Sequence, residues 1–160
     1  MISEKNPKTP AVRFLESLKI PFEGASYKYE DKGGTRVSSR ELGVSEHIVI
    51  KTLVMEDENK RPFIVLMHGD KEVSLKNMAR FLGVKSVAPC TPENVTKYTG
   101  YMVGGTSPFG TKKQLKIYME STILDLPEIY INGGKRGFLV KINPKDVQKV
   151  LNATIVSVGI

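Results

Sequence analysis

Ile48-Val49-Ile50-Lys51-Thr52-Leu53-Val54-Met55 is a nearly unbroken run of apolar and β-branched residues. A run of this length and composition predicts a strand. The polar segment 56–60 follows it, and Pro62–His68 is a second apolar run. Two such runs around a short polar loop predict an antiparallel hairpin.

Five helices are predicted outside this hairpin, because each begins at a residue that favours a helix start. In the first, Thr9 caps a helix that begins at Pro10 and ends at Ile20-Pro21. Its apolar residues form one stripe at helical spacing: Ala11, Phe14, Leu15 and Leu18. The second helix follows Gly33-Gly34, with Thr35 or Ser38 as its cap and Gly43 past its end. The third is capped by Ser74 and ends at Gly83. The fourth runs from Thr91-Pro92 through Tyr98, and the fifth begins at Asn143-Pro144.

Four further strands are predicted from short apolar or alternating segments: Phe22–Tyr29, Leu115–Met119, Ile129–Ile131 and Phe138–Ile142. Strands and helices are mixed without a regular βαβ period, so the sequence predicts an α+β fold rather than a doubly wound sheet. No internal repeat, low-complexity tract or linker interrupts the chain, and we expect one domain over residues 1–160.

The chain is basic, with 24 Lys and Arg against 17 Asp and Glu and a formal net charge of +7. This charge is compatible with a nucleic-acid partner, and a basic protein without such a partner is the alternative. The single cysteine, Cys90, excludes an intramolecular disulfide and fits a reducing compartment. The polar start Met1–Asn6 does not resemble a signal peptide, and no apolar run approaches the roughly 18 residues that span a bilayer, so we expect a cytoplasmic protein without a membrane partner.

Lys51 is the one charged residue in the first apolar run. In a strand it shares a face with Val49 and Leu53, but the opposite face is equally apolar, so the pattern does not decide which face is buried. If Lys51 faces inward, its ammonium needs a phosphate, a carboxylate or a polarised carbonyl as a partner, because burying it unpaired is costly. A solvated or snorkelling lysine is the alternative.

Two glycine-rich segments, Tyr98–Gly110 and Gly133–Gly137, could bring main-chain N–H groups close to a ligand, although structural turns remain the alternative. The first is not a P-loop, because Thr111 stands where the lysine belongs and a strand is predicted to follow. Basic residues that could contact phosphate, or form a solvated face, are concentrated in the last third of the chain: Lys112, Lys113, Lys116, Lys135, Arg136, Lys141, Lys145 and Lys149.

Conventional catalytic sets are weakly represented. Cys90 is far in sequence from both His47 and His68, and these three residues lack the spacing of a zinc site. No pair of carboxylates stands out either. We therefore expect no metal and no cofactor, and an enzyme that would work by positioning and main-chain donors rather than through its own nucleophile.

The chain resembles the YbaK/EbsC family in four motifs that occur in the family's order and spacing: Lys51–Val54, Tyr98–Tyr101, Gly104–Gly110 and Gly133–Gly137. The resemblance covers nearly the whole chain and implies a mixed, mostly antiparallel, barrel-like sheet surrounded by helices. It further implies hydrolysis of mischarged aminoacyl-tRNA, most closely Cys-tRNA(Pro), as in the related editing domain of bacterial prolyl-tRNA synthetases. That synthetase is the expected partner, and a non-catalytic tRNA-binding module is the alternative function.

By the same resemblance, Lys51 matches the family's essential lysine, and N–H groups around Gly104 and Gly105 would cradle the developing oxyanion. The expected substrate-binding residues are Tyr27, Thr52, Thr106, Ser107, Pro108, Asn132, Gly133, Gly134 and Leu139. Two of them depart from the family, because Asn132 stands where Ser is frequent and Leu139 where namesake members carry Asp. Both positions are implied to lie near the aminoacyl pocket, so they bear on which amino acid is removed.

Overall fold

The computed structural model describes residues 6–160, and the polar start Met1–Lys5, where no signal peptide is expected, lies outside the described residues. Over the described part, five α-helices accompany one eight-stranded sheet. The helices are α1 Pro10–Ser17, α2 Gly34–Leu42, α3 Leu75–Leu82, α4 Pro92–Thr99 and α5 Pro144–Leu151. The strands are β1 Glu23–Ser26, β2 Val49–Asp57, β3 Pro62–His68, β4 Val87–Pro89, β5 Lys116–Glu120, β6 Ile129–Lys135, β7 Phe138–Ile142 and β8 Thr154–Val156.

The sheet is mixed, with the strand order β1-β7-β6-β2-β3-β5-β8 and with β4 paired to β2. Four of its seven pairings are antiparallel, and β2–β6, β3–β5 and β5–β8 are parallel. The predicted hairpin is β2–β3, in which Lys51 lies opposite Met67. These pairings confirm the α+β class and the mixed, mostly antiparallel sheet.

The edge of β2 that faces away from β3 is only partly paired. β6 pairs with its beginning, at Val49 and Ile50, and β4 pairs with its end, at Met55–Asp57. Between these pairings, Lys51–Leu53 have no strand partner on this side among the described residues. The sheet therefore has an opening beside the middle of its longest strand.

The two faces of the sheet differ at this opening. Ile50 pairs with Ile131, Ile131 pairs with Val140, and all three belong to the main hydrophobic core. Because side chains alternate between the faces of a sheet, Lys51 and Asn132 point to the opposite face. Farther along that face of the β2–β3 hairpin, a second apolar cluster packs against α3.

The helix starts were largely predictable. Thr9 caps α1, its side chain accepting from the Val12 N–H at 3.0 Å, and Ser74, Thr91 and Asn143 cap α3, α4 and α5 in the same way. The cap of α2 was predicted wrongly, because Gly33 occupies that position without a side-chain hydrogen bond. The Thr35 hydroxyl instead donates to the Glu46 carboxylate at 2.7 Å.

Two element ends also differ from the prediction. Helix α1 ends at Ser17, before Ile20, because Lys19 adopts a left-handed φ of 57°. Leu18 therefore lies past the helix and is exposed, while Val12 is buried in its place. Strand β1 is shorter than Phe22–Tyr29, because its pairing with β7 covers only Glu23–Ser26. No helix in the described range is long and apolar enough to cross a membrane.

Candidate active site

A cleft of about 560 Å³ lies beside the opening in β2. It is bounded by the middle of β2, residues 27–38, residues 89–95, the glycine-rich segment at 103–106, and strands β6 and β7. Its volume falls in the range of roughly 300–1,000 Å³ that is typical of small-molecule sites. The cleft is therefore large enough for the end of a macromolecular substrate or for a small ligand.

Seven of the twelve predicted site residues line this cleft: Tyr27, Lys51, Thr52, Gly104, Thr106, Asn132 and Leu139. They come from five separate parts of the chain, and the fold brings them together. The other five do not line the cleft: Gly105, Ser107, Pro108, Gly133 and Gly134.

The Lys51 side chain runs along the cleft face and is only 18% exposed. Its ammonium donates to the carbonyl of Lys71 and lies 3.3 Å from the Glu72 carboxylate. The partners are thus a carbonyl and a carboxylate, two of the three kinds that the sequence required for an inward-facing lysine. An ammonium has three N–H donors, so one remains available to a substrate oxygen.

Thr52 presents polar groups to the opening in the sheet. Its hydroxyl is buried and has no hydrogen-bond partner among the described residues. The Val54 carbonyl accepts from the Cys90 N–H at this edge, and main-chain groups alternate along a strand, so the N–H and C=O of Thr52 point to the same edge. A buried unpaired hydroxyl is costly, which makes this position suited to a ligand hydrogen bond.

The two predicted cradle glycines have different environments. Gly104 is exposed at the cleft with a φ of 91°, and a Cβ there would lie 2.5 Å from the Tyr29 hydroxyl. The Gly105 N–H already donates to the Met102 carbonyl at 2.8 Å. A Cβ on Gly105 would lie 2.9 Å from the main-chain nitrogen of Arg136, so this glycine permits close packing of two main-chain segments.

Asn132 ties the glycine-rich segment to strand β6. Its amide donates to the Gly104 carbonyl at 3.2 Å, and its side-chain oxygen accepts from the Gly134 N–H at 2.7 Å. Arg136 adds a second tie, donating to the Val103 carbonyl at 3.0 Å. Asn132 therefore shapes the cleft wall through the segment that it holds.

Leu139 and Tyr27 form part of the cleft wall next to Asn132. Leu139 pairs with Asn132 across β6 and β7, and it is buried at 4% exposure. Burial raises the pKa of the Tyr27 hydroxyl, so this group stays protonated and can donate a hydrogen bond. This side of the cleft is accordingly apolar with one hydroxyl donor.

The predicted residues outside the cleft have structural partners. Ser107 is fully buried, and its hydroxyl accepts from the Phe109 N–H at 3.2 Å. The Gly133 carbonyl accepts from the Thr9 hydroxyl at 2.6 Å, which joins α1 to β6. Gly134 has a φ of 96° and packs against Tyr101. Pro108 is buried beside this loop.

Cys90 lines the cleft but is a poor nucleophile. Burial and the nearby Glu56 carboxylate, 3.5 Å from Sγ, together raise the pKa of its thiol to about 12. A thiol with this pKa carries almost no thiolate at neutral pH. Cys90 is therefore poorly suited to attack a carbonyl carbon.

His47, His68 and Asp70 form a separate cluster, with one possible ligand atom from each lying within 4.8 Å of the others. His68 is fully buried, and its Nδ1 lies 2.8 Å from the His47 carbonyl while its Nε2 lies 2.7 Å from the Thr122 hydroxyl. Both ring nitrogens are therefore engaged, with Nδ1 as the donor because a carbonyl only accepts. Burial lowers the pKa of His68, which favours this neutral form.

Some functional neighbours were not found from the sequence. Tyr29 lines the cleft beneath the Arg136 guanidinium, which lies 5.5 Å from the ring centre. The two partners of Lys51 lie about twenty residues beyond it, after β3. Arg136 lies in the Gly133–Gly137 motif, but no pattern in the sequence indicated its contact with Tyr29 or the partners of Lys51, because each contact depends on how separate loops meet.

Comparisons with known proteins show which family the chain is similar to. The family model of the aminoacyl-tRNA editing domain matches residues 34–150. An Enterococcus faecalis protein named "Putative Cys-tRNA(Pro)/Cys-tRNA(Cys) deacylase EbsC" is 30% identical over 146 residues, which cover 91% of this chain and 89% of that protein. A proline–tRNA ligase of Brachyspira hyodysenteriae is 24% identical over 131 residues, which cover 76% of this chain and 23% of the ligase.

The fold also has a close counterpart among solved structures. A crystal structure described as "a putative trans-editing enzyme for prolyl tRNA synthetase" superposes with a TM-score of 0.83 at 22% identity. The match covers 96% of this chain and 98% of that one. At this identity the likeness concerns the fold.

Proposed function

The chain belongs to the aminoacyl-tRNA editing domain family and is an aminoacyl-tRNA deacylase, and from this premise we propose that its main substrate is Cys-tRNA(Pro). The reaction is hydrolysis of the ester between the amino acid and the terminal ribose of the tRNA. The observation that carries the proposal is the cleft itself, in which a positioned lysine faces an apolar wall and the one thiol is held protonated.

In the proposed mechanism, Lys51 binds a phosphate or sugar oxygen of the terminal adenosine with its remaining N–H donor. Its positive charge also stabilises the negative charge that develops on the ester oxygen. The exposed main chain at Gly104 is the candidate oxyanion donor. The N–H of Gly105 is already engaged, so we assign that residue to the packing that supports Gly104.

With a cysteine ester, the substrate can supply the nucleophile. Its thiol sulfur attacks its own carbonyl carbon, the carbon–oxygen bond to the ribose breaks, and the thiol proton passes to the leaving ribose oxygen. Water then opens the resulting thiolactone to free cysteine. The protein needs only to position the ester and stabilise charge, which is consistent with the elevated pKa of Cys90.

The remaining cleft residues are proposed to select a small amino acid. Leu139 makes its wall less polar than the acidic residue of namesake members would, and Asn132 occupies more space than Ser. We expect cysteine to be the best substrate, alanine and serine to follow, and aromatic or long charged amino acids to be excluded. Small apolar pockets discriminate by only about 1–3 kcal/mol per methylene, so several small esters should react.

We propose that the protein by itself distinguishes only weakly between different tRNAs and depends on a partner for this selectivity. Thr52, Thr106 and Tyr27 would contact the aminoacyl-adenosine end, while Ser107, Pro108, Gly133 and Gly134 would support the loops around it. Prolyl-tRNA synthetase is the proposed source of selectivity for the proline tRNA. We further propose that residues 1–160 form one editing domain acting in the cytoplasm.

A panel of tRNAs charged with cysteine, alanine, serine or phenylalanine tests this proposal. Hydrolysis by one enzyme preparation should be fastest for cysteine and absent for phenylalanine. Faster release of phenylalanine would contradict the assigned pocket while leaving deacylation intact. Binding of charged tRNA without hydrolysis of any ester would favour a non-catalytic tRNA-binding module instead.

A further inference from the structure

The ammonium of Lys51 is held by a segment that belongs to neither glycine-rich loop. Both of its partners, the Lys71 carbonyl and the Glu72 carboxylate, lie in the connection between β3 and α3. Glu72 is 81% exposed, so its ion pair is screened by solvent. The position of the Lys71 main chain therefore sets the place of the ammonium.

This connection is fixed by the end of the chain. Glu72 and Ile160 exchange two main-chain hydrogen bonds of 3.0 and 2.9 Å, and the Ser74 N–H donates to the Val158 carbonyl at 2.7 Å. Val73 and Gly159 form an antiparallel bridge between these bonds. Residues 72–74 and 158–160 thus form a short two-stranded ribbon next to Lys71.

Glu120 anchors this ribbon from the sheet. It is the last residue of β5 and is buried at 6% exposure. Its two carboxylate oxygens accept separately from the N–H groups of Val158 and Gly159, at 2.8 and 3.0 Å. Hydrogen bonds from N–H groups to a charged carboxylate are stronger than neutral ones.

We propose that Glu120 is a positioning residue for Lys51, acting through the 158–160 and 71–74 segments. Its carboxylate fixes residues 158 and 159, these fix residues 72–74, and the Lys71 carbonyl then aims the ammonium along the cleft face. The inference rests on the proposed function only in assigning a catalytic consequence to that aim. The physical coupling between Glu120 and Lys51 is independent of any substrate.

The coupling is measured by labelling lysines with an amine-reactive ester and quantifying the peptides by mass spectrometry. In the unmodified protein, Lys51 should label slowly relative to Lys8, whose side chain is 53% exposed. Glu120→Gln keeps the size of the side chain but turns one acceptor into a donor that faces an N–H group. It should raise the labelling of Lys51 severalfold relative to Lys8, and lower kcat for Cys-tRNA(Pro) about ten- to hundredfold with little change in KM.

Asp57→Asn is the matched control. Asp57 is buried to a similar extent, and its carboxylate also accepts from two main-chain N–H groups, those of Asn59 and Arg61, at 2.8 and 3.1 Å. It lies at the β2–β3 turn rather than beside Lys71. Its substitution should cost stability without changing Lys51 labelling or kcat.

Two results would overturn the inference. One is unchanged Lys51 labelling in Glu120→Gln, and the other is an equal labelling change in Asp57→Asn, which would indicate general loosening. If Glu120→Gln does not fold, Gly159→Ala replaces it, because a Cβ at this position would lie 2.7 Å from Glu120 Oε2 and would push the 158–160 segment away from the carboxylate. Unchanged Lys51 labelling in Gly159→Ala would also overturn the inference. Full activity of Lys51→Ala would defeat the proposed function alone, since the labelling measurement needs no turnover.

Discussion

Replacing Gly104 by alanine should damage the cleft far more than it damages the fold. The glycine has a φ of 91°, where an L-residue is strained by about 1–2 kcal/mol or more. The added Cβ would also lie 2.5 Å from the Tyr29 hydroxyl and 3.3 Å from Arg136 Nε, so the loop or the tyrosine must move. A displacement of about 1 Å at a catalytic site can cost a hundredfold in rate, and we expect Gly104→Ala to lose ten- to hundredfold in deacylation.

Gly83→Ala is a control that introduces backbone strain without displacing a neighbouring atom. Gly83 has a φ of 71°, and no atom lies within 4 Å of the position that its Cβ would take. Its substitution should cost about 1–2 kcal/mol, or roughly 2–8 °C in Tm, with normal deacylation. Gly104→Ala should show a comparable or larger loss of Tm together with the loss of rate.

The double variant Gly104→Ala/Tyr29→Phe tests whether the clash with the Tyr29 hydroxyl causes the loss of rate. Removing the Tyr29 hydroxyl takes away the nearest clashing atom, so part of the lost rate should return, and the two substitutions should be non-additive. Deacylation and thermal unfolding are measured on all four combinations. The reasoning is refuted if Gly104→Ala keeps the unmodified rate, or if Gly83→Ala loses as much rate as Gly104→Ala.

Three other substitutions test separate parts of the account. Cys90→Ala should keep most of the deacylase activity, and the Cys90 thiol should react slowly with an alkylating reagent at pH 8. The reason is that a pKa of about 12 leaves only about one thiol in ten thousand as thiolate. An inactive Cys90→Ala variant would instead indicate that Cys90 is a nucleophile. Leu139→Ala should enlarge the pocket and so lower the ratio of the deacylation rate of the cysteine ester to that of the valine ester about tenfold, a change of about 1.4 kcal/mol. An unchanged ratio would show that Leu139 does not contact the amino acid. Burial alone would raise the pKa of Asp57, but its bonds to the N–H groups of Arg61 and Asn59 and the Arg61 guanidinium hold that pKa below its usual value. Its contribution to stability is therefore present above the ordinary pKa of Asp and is lost as the pH falls, so the Tm difference between the unmodified protein and Asp57→Asn should shrink between about pH 5 and pH 3; a constant difference would contradict this sign.

Local signals predicted most of the elements. The β2–β3 hairpin and the capped starts of α1, α3, α4 and α5 follow from apolar runs, hydroxyl or amide caps and prolines, which act within a few residues. The parallel pairings of β2 with β6 and of β3 with β5 join segments more than fifty residues apart. Such pairings depend on tertiary packing, and no local pattern specified them.

Seven of the twelve predicted site residues line the cleft, but the contacts that hold them there could not be predicted. The kinds of partner that an inward-facing Lys51 would need followed from the cost of burying an ammonium. The sequence left open whether Lys51 faces inward, and the segment that supplies its partners is a polar connection without a motif. The glycine-rich segment was expected to donate N–H groups, and only the fold shows that the N–H of Gly105 is engaged. Asn132 was expected near the aminoacyl pocket; it lines the cleft, and its amide donates to the glycine-rich segment at Gly104.

The most direct test of the central claim is the release of cysteine from Cys-tRNA(Pro) under single-turnover conditions, with enzyme in excess and with Lys51→Ala beside the unmodified chain. The account predicts release well above the spontaneous rate, and a loss of most of that acceleration in Lys51→Ala, because the positioned ammonium stabilises the charge that develops in the reaction. Equal rates for Lys51→Ala and the unmodified chain would contradict the role of the lysine. Release no faster than in buffer, with the charged tRNA bound, would contradict the proposed substrate.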